Sequence, residues 1–143
     1  MNISRFNIRV YGILVHKGRL LVSDEWINGA RVVKFPGGGL EFGEGTIDCL
    51  QREWREEFDV EIEVTEHFYT TDYFQPSLFD NSQVISIYYF LRLVGMPDEL
   101  TPRQQGDRVL WIPQQEVEAE LFTLPIDRKV GGMLRELWQT GAP

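Results

Sequence analysis

Glu53, Glu56 and Glu57 stand at i, i+3 and i+4 in residues 46–58, where Ile47, Leu50, Trp54 and Phe58 recur at spacings of three and four. That period predicts an amphipathic helix with an apolar stripe facing a core. A helix turns about 100° per residue, so the three carboxylates share one face within one turn. Like charges this close repel, and the C-terminal end of a helix disfavours anions further. A hard divalent cation held by several oxygens would remove both penalties. Mg2+ is the usual ion that works through carboxylates together with substrate phosphates. Taken alone, the trio also fits a solvated acidic face.

The residues before this segment narrow the choice. Pro36 is followed by Gly37, Gly38 and Gly39, a glycine loop, and then by Glu41 and Glu44. The full string reads Gly38, five residues, Glu44, seven residues, Arg52-Glu53-Trp54, one residue, Glu56-Glu57, one residue, Asp59-Val60. It resembles the Nudix box, and the chain is similar to the Nudix hydrolase family and its MutT-like members. Six of the seven fixed letters match: Gly38, Glu44, Arg52, Glu53, Glu56 and Glu57. Phe35-Pro36-Gly37 resembles the family's approach to the box, and Trp111-Ile112-Pro113 its late turn. So many fixed charged positions in one window rarely coincide, unlike a lone glycine motif. Two positions depart from the pattern. Asp59 stands for a glycine at the helix exit, where a left-handed residue is common and Asp is tolerated. Trp54 stands for an aliphatic residue and should still face the core.

The resemblance implies roles residue by residue. Glu53, Glu56 and Glu57 would hold Mg2+ or Mn2+, with the Gly37 carbonyl as a further ligand. Arg52 and Glu44 would pair and orient the catalytic helix. Glu53 is the leading candidate for the base or the metal-bridging ligand. Family members often place the base instead on a late loop, about six residues before the late tryptophan. That position is Gln105, which cannot act as a base, so Asp107 or Glu99 would have to substitute. The implied activity is cleavage of a diphosphate linkage in a nucleotide or nucleotide derivative by water attack at phosphorus. Pro76, past the box, suits ADP-ribose-cleaving members, whereas the short chain suits triphosphatases, so the two substrate types stand side by side. A non-catalytic nucleotide-binding module would be expected to carry a degraded carboxylate set, and the set here is intact; an isomerase acting on a diphosphate would need a cysteine as well as an altered box, and Cys49 stands on the wrong part of the helix.

The elements that must position these residues follow from the pattern of the rest of the chain. Residues 6–16 and 19–26 read as strands joined at Lys17-Gly18, and 31–35 as a short strand entering the glycine loop. Residues 60–74 read as a strand and 75–82 as a loop. Residues 84–94, apolar on both faces, read as a central strand covered on both sides. A short strand over 109–112, a short helix over 113–120 and a terminal helix over 126–139 complete the order, the last with Val130, Leu134, Leu137 and Trp138 inward. Strands on either side of an internal helix predict a mixed sheet between helices, an α/β/α sandwich, with residues 1–143 forming one domain.

Bland readings fall to the remaining candidates. Cys49, the only cysteine, excludes an intramolecular disulfide and reads as a buried structural thiol in a cytoplasmic protein. His16 and His67 read as structural or exposed. Lys34 and Arg31 read as outward-facing, with a phosphate contact as the sharper alternative. Tyr69, Tyr73, Phe74 and Phe79 read as a loop packed on the core, with stacking on a nucleobase as the alternative. The net charge of −8, with ten acids against two bases between Glu41 and Glu66, argues against nucleic-acid backbones as partners. No apolar run approaches membrane-spanning length. The expected partner is a small nucleotide substrate, and a homodimer is left open.

Overall fold

The structure is a computed structural model that describes residues 2–95 and 99–140. It contains strands β1 (Arg5–His16), β2 (Arg19–Ile27), β3 (Ala30–Lys34) and β4 (Gly37–Gly39), then helix α1 (Thr46–Phe58). Strands β5 (Ile62–Thr70), β6 (Ser82–Leu93) and β7 (Arg108–Pro113), two short 3-10 turns and helix α2 (Pro125–Gln139) follow. The sheet runs β3-β2-β1-β6-β5, with β4 paired to β1 and β7 to β2. β1 and β6 are parallel and the other pairs antiparallel, so the sheet is mixed, as the strand–helix alternation predicts.

Two tight turns fold the first three strands. Lys17 and Gly18 join β1 to β2, and Asn28 and Gly29 join β2 to β3, all four with positive φ. These are the two-residue turns whose twist matches that of a hairpin. The pleat of β1 then divides the core. Val10 and Leu14 join Leu50, Trp54 and Phe58 of α1 on one face. Tyr11 and Ile13 join Val130 and Leu134 of α2 on the other. β6 divides likewise, with Tyr88 on the α2 side and Leu91 on the α1 side, so it is covered on both faces. The result is the expected α/β/α sandwich.

Several boundaries differ from the sequence reading. The glycine loop is a short strand: Gly37, Gly38 and Gly39 pair with Tyr11, Val10 and Arg9. Three residues without side chains carry no alternation to announce a strand. β5 ends at Thr70 rather than running to residue 74, and Pro113 closes β7 rather than opening a helix. Ile47, expected inward, is 43 % exposed. In that first turn the hydroxyl of Thr46, bonded to Tyr89 at 2.7 Å, makes the contact with the sheet. Among the described residues no helix is long and apolar enough to cross a membrane.

Candidate active site

The glycines of β4 hold the carboxylate helix close to the sheet. The Gly12 amide donates to the Pro36 carbonyl and the Leu40 amide to the Ile8 carbonyl. Residues 36, 38 and 40 therefore bond toward β1, which turns the carbonyls of Gly37 and Gly39 away from it. The Gly39 carbonyl accepts from Arg52 Nη2 at 3.0 Å. A Cβ at Gly38 would overlap the carboxyl group of Glu53, so only glycine lets that group lie against β4. Gly12 plays the same part for the residue that departs from the box. A Cβ there would come within 3.0 Å of the Trp54 indole, which is fully buried where an aliphatic side chain is usual.

Arg52 is the hub of the cluster. Its Nε and Nη2 donate to both oxygens of Glu44, at 2.9 and 2.7 Å. Nη1 donates to Glu53 at 3.1 Å and to Glu56 at 3.2 Å. Glu44 also accepts from the Glu41 amide at 2.9 Å, and the Arg52 guanidinium holds its carboxyl down at about 2. The helix ends are fixed as well. Asp48 accepts from the Gly45 amide at 2.9 Å in the first turn. Asp59 takes the left-handed conformation, φ 57°, that the missing glycine would have taken. The Arg103 amide donates to the Glu57 carbonyl at 2.9 Å, tying the late loop to the same end.

Glu57 lies apart from Arg52. Its Oε1 is buried and has no hydrogen-bond partner. Burial first, then the charges of Glu25 and Asp107, push its carboxyl up to about 7. Among the described residues no three acidic, histidine or cysteine side chains converge as a metal cluster, because Glu53 and Glu56 lean on Arg52. The donor set still suits a hard cation. It combines carboxylate oxygens on one helix face with a buried oxygen that nothing in the protein satisfies.

The late loop brings one of its two candidate acids to this cluster. Asp107 accepts from the Trp26 amide at 3.2 Å, and its charge bears on Glu57. Glu99 and Gln105 are exposed. Asp24, 4 % exposed, holds the base of the loop by accepting from Arg31 at 2.9 Å and Arg108 at 2.6 Å. Arg31 also donates to the Gly106 carbonyl at 2.9 Å. Arg31 is thus an internal tie rather than an outward charge. Lys34 is likewise buried, at 4 % exposure, donating to the Phe35 carbonyl at 3.0 Å, 3.6 Å from Glu25 and over the Tyr11 ring. A lysine at a strand end reads as solvated because its partners are distant in sequence, and Glu25 was missed for the same reason. Cys49 is buried, and burial pushes its thiol up to about 12. Tyr69 packs in the core, whereas Tyr73, Phe74 and Phe79 are exposed rather than packed on it.

A cavity of about 310 Å3 lies on the other side of β1, toward α2. Arg9, Tyr11, Lys34, Pro76, Tyr88 and Asp127 are among its lining residues. Arg9 feels the charges of both Glu53 and Asp127, so it stands between the carboxylate helix and this cavity. Asp127 was not singled out by sequence, since an acid in the first turn of a helix reads as an ordinary dipole partner.

Comparison with solved structures finds the same fold at low identity. A NUDIX hydrolase from Nitrosomonas europaea is 19% identical with a TM-score of 0.73, covering 95% of this chain and 90% of that one. A MutT NUDIX hydrolase from Burkholderia pseudomallei is 15% identical with a TM-score of 0.71, covering 92% and 98%. An ADP-ribose pyrophosphatase from Streptococcus suis is 15% identical with a TM-score of 0.66, covering 96% and 92%. A search of curated protein sequences finds no match. The NUDIX domain family matches residues 4–131, nearly the whole chain, and includes both the box and the late turn. The chain therefore belongs to the Nudix hydrolase family, enzymes that in general hydrolyse pyrophosphate linkages in small nucleotide derivatives.

Proposed function

We propose that this protein, acting as a single domain, hydrolyses a diphosphate linkage in a nucleotide derivative with the help of Mg2+ or Mn2+. The observation that carries the reading is the buried, unpartnered Oε1 of Glu57 beside a carboxylate face held in place by Arg52 and Glu44. An isolated buried carboxylate oxygen costs several kcal/mol, which a bound cation offsets. Glu53, Glu56 and Glu57, with the Gly37 carbonyl, would hold the ion. When bound, it neutralises diphosphate charge and lowers the pKa of the attacking water.

The protein's own groups supply the rest. Arg52 and Glu44 keep α1 in register with β4, so Glu53 is presented at the sheet edge. Glu53 takes the proton from the attacking water or bridges to the ion; its approach to Gly38 and its hydrogen bond from Arg52 orient it for either role. Asp107 is the competing base, supported by its proximity to Glu57. Arg9 and Lys34 offer positive charge along the path from the carboxylate helix to the cavity, where a nucleotide's phosphates would run. Pro76 lines that cavity, but its position there serves a triphosphate or a sugar nucleotide equally. A cytoplasmic setting belongs to the same reading, supported by the single free thiol. The test is a panel of nucleoside triphosphates, ADP-ribose and nucleotide sugars incubated with Mg2+ and scored for released monophosphate or pyrophosphate. Turnover of at least one compound, abolished by chelation, is expected; no turnover of any would refute the reading.

A further inference from the structure

Among the described residues, three buried polar atoms on the α1 side of the sheet have no hydrogen-bond partner: Trp54 Nε1, Ser23 Oγ and Glu57 Oε1. The Trp54 and Ser23 side chains are themselves buried. Their chemistry is complementary. An indole N–H only donates, an ionised carboxylate only accepts, and a hydroxyl does either. Buried polar groups are seldom left unpaired, because each then keeps the full cost of leaving water.

The fold brings the three to one place. β1 and β2 pair only through Val15 with Leu20 and His16 with Arg19. Farther along, β4 takes the edge of β1 and β3 takes that of β2, so the two strands part. The same register carried on would set Gly12 opposite Ser23, and these residues flank the wedge. Trp54 lies over Gly12, its Nε1 3.0 Å from where a Cβ on that glycine would stand. Ser23 shares a face of β2 with Leu21, which joins Trp54 in the α1-side core, and with Glu25, whose charge bears on Glu57. Glu57 follows Trp54 by three residues, so the two side chains are neighbours on α1.

None of the three atoms reaches another directly, so whatever joins them is small, accepts from the indole and donates to the carboxylate. A water molecule has that chemistry, and three polar partners are the usual number for a buried one. We propose that one internal water is held by Trp54 Nε1, Ser23 Oγ and Glu57 Oε1, and that Trp54 and Ser23 act through it as positioning residues for Glu57. The aliphatic side chain usual at position 54 has no donor, so this anchor belongs to this chain rather than to the box. The proposal rests on the reading of Glu57 as an ion ligand. A neutral donor occupies one lone pair of Oε1 and leaves the charge uncompensated, so another lone pair stays open to a cation. Holding a ligand in orientation through such an outer contact contributes about 10- to 100-fold in ion affinity.

Two measurements on the intact protein test this. In isotope-labelled wild type without metal, the Trp54 indole resonance, identified as the one that Trp54→Phe removes, should show magnetic cross-relaxation with a long-lived water. Ser23→Ala should weaken or abolish that signal. Binding of Mn2+ alone, followed by electron paramagnetic resonance, should weaken about tenfold or more in Trp54→Phe and in Ser23→Ala, each verified as folded by a cooperative melt. Because both act through one water, the double variant should bind no more than about threefold more weakly than the weaker single variant. A merely structural role would lower Tm and give effects that multiply. Absence of a water contact at Trp54, unchanged Mn2+ affinity in Ser23→Ala, or effects that multiply would overturn the proposal. Should Trp54→Phe fail to fold, the resonance is identified by sequential assignment and Ser23→Ala decides. The two readings fail separately. Wild type that binds no Mn2+ removes the ion-ligand reading and the positioning role with it, whereas Mn2+ binding without a water contact at Trp54 removes this proposal alone.

Discussion

Asp127 should stabilise the fold less as pH rises, and Asp127→Asn should reverse that loss. Burial dominates its environment and raises its carboxyl from an ordinary 3.8 to about 6, opposed by the Tyr88 hydrogen bond, the charge of Lys34, the Phe35 backbone amide and the charge of Arg9. The folded-state value is the higher one, so the folded protein holds this proton more tightly than the unfolded chain does. The group's stabilising contribution is complete below about 3.8 and is lost as pH rises through about 6. A shift of about two units, at about 1.4 kcal/mol per unit, corresponds to about 3 kcal/mol at pH 8. At pH 4.5 the unfolded carboxyl is already mostly ionised, so about 1 kcal/mol has been lost by then. A neutral asparagine titrates nowhere in this range. The variant's advantage over wild type should therefore grow from about 1 kcal/mol at pH 4.5 to about 3 kcal/mol at pH 8, near 10 °C in Tm for a chain of this size. The assay is thermal unfolding of both proteins, without metal or nucleotide, at both pH values. The raised carboxyl of Glu57 is common to the two and cancels. A difference that does not change with pH, or a variant less stable at pH 8, would refute the reasoning.

The remaining predictions concern the carboxylate helix and its supports. Arg52→Ala should lower both Tm and kcat, because Glu44, Glu53, Glu56 and the Gly39 carbonyl lose a shared donor; unchanged values would remove its orienting role. Gly38→Ala should cut kcat about tenfold or more while shifting Tm by only a few degrees, since the new methyl displaces the Glu53 carboxyl; steady-state kinetics beside a melting curve checks this. Asp24→Asn should lower Tm by on the order of 10 °C and speed hydrogen exchange around residues 103–108, because it unpairs Arg31 and Arg108 from a buried partner. Glu53→Gln should lose far more kcat than Asp107→Asn at saturating Mg2+; the opposite order would move the base to the late loop.

Residues acting through local spacing were legible in the sequence, and residues acting through distant partners were not. The helix over Thr46–Phe58 and its carboxylate face follow from a 3.6-residue period, and Asp59 could be assigned a left-handed exit because the box reserves that place. Both faces of β6 were readable because apolar residues occupy both phases of its alternation. β4 was hidden because three glycines carry no alternation, and its strand character depends on β1. Lys34 and Asp127 were misread or passed over for a related reason. Each is charged and sits at an element's end, where solvent is the ordinary expectation. Their burial arises only when β3, β6 and α2 close around Tyr11 and Tyr88. The network around Asp24 joins residues 7 and 84 positions apart, which no local pattern marks.

The central claim, that Glu53, Glu56 and Glu57 hold a divalent cation that drives diphosphate hydrolysis, is tested most directly by one comparison. Turnover of the best substrate in the nucleotide panel is measured for wild type and Glu57→Gln, each with saturating Mg2+ and with excess EDTA. The account predicts turnover only for wild type with Mg2+, and a loss of at least about a hundredfold in kcat for Glu57→Gln. Wild-type turnover that persists in EDTA, or Glu57→Gln that matches wild type in Mg2+, would contradict it.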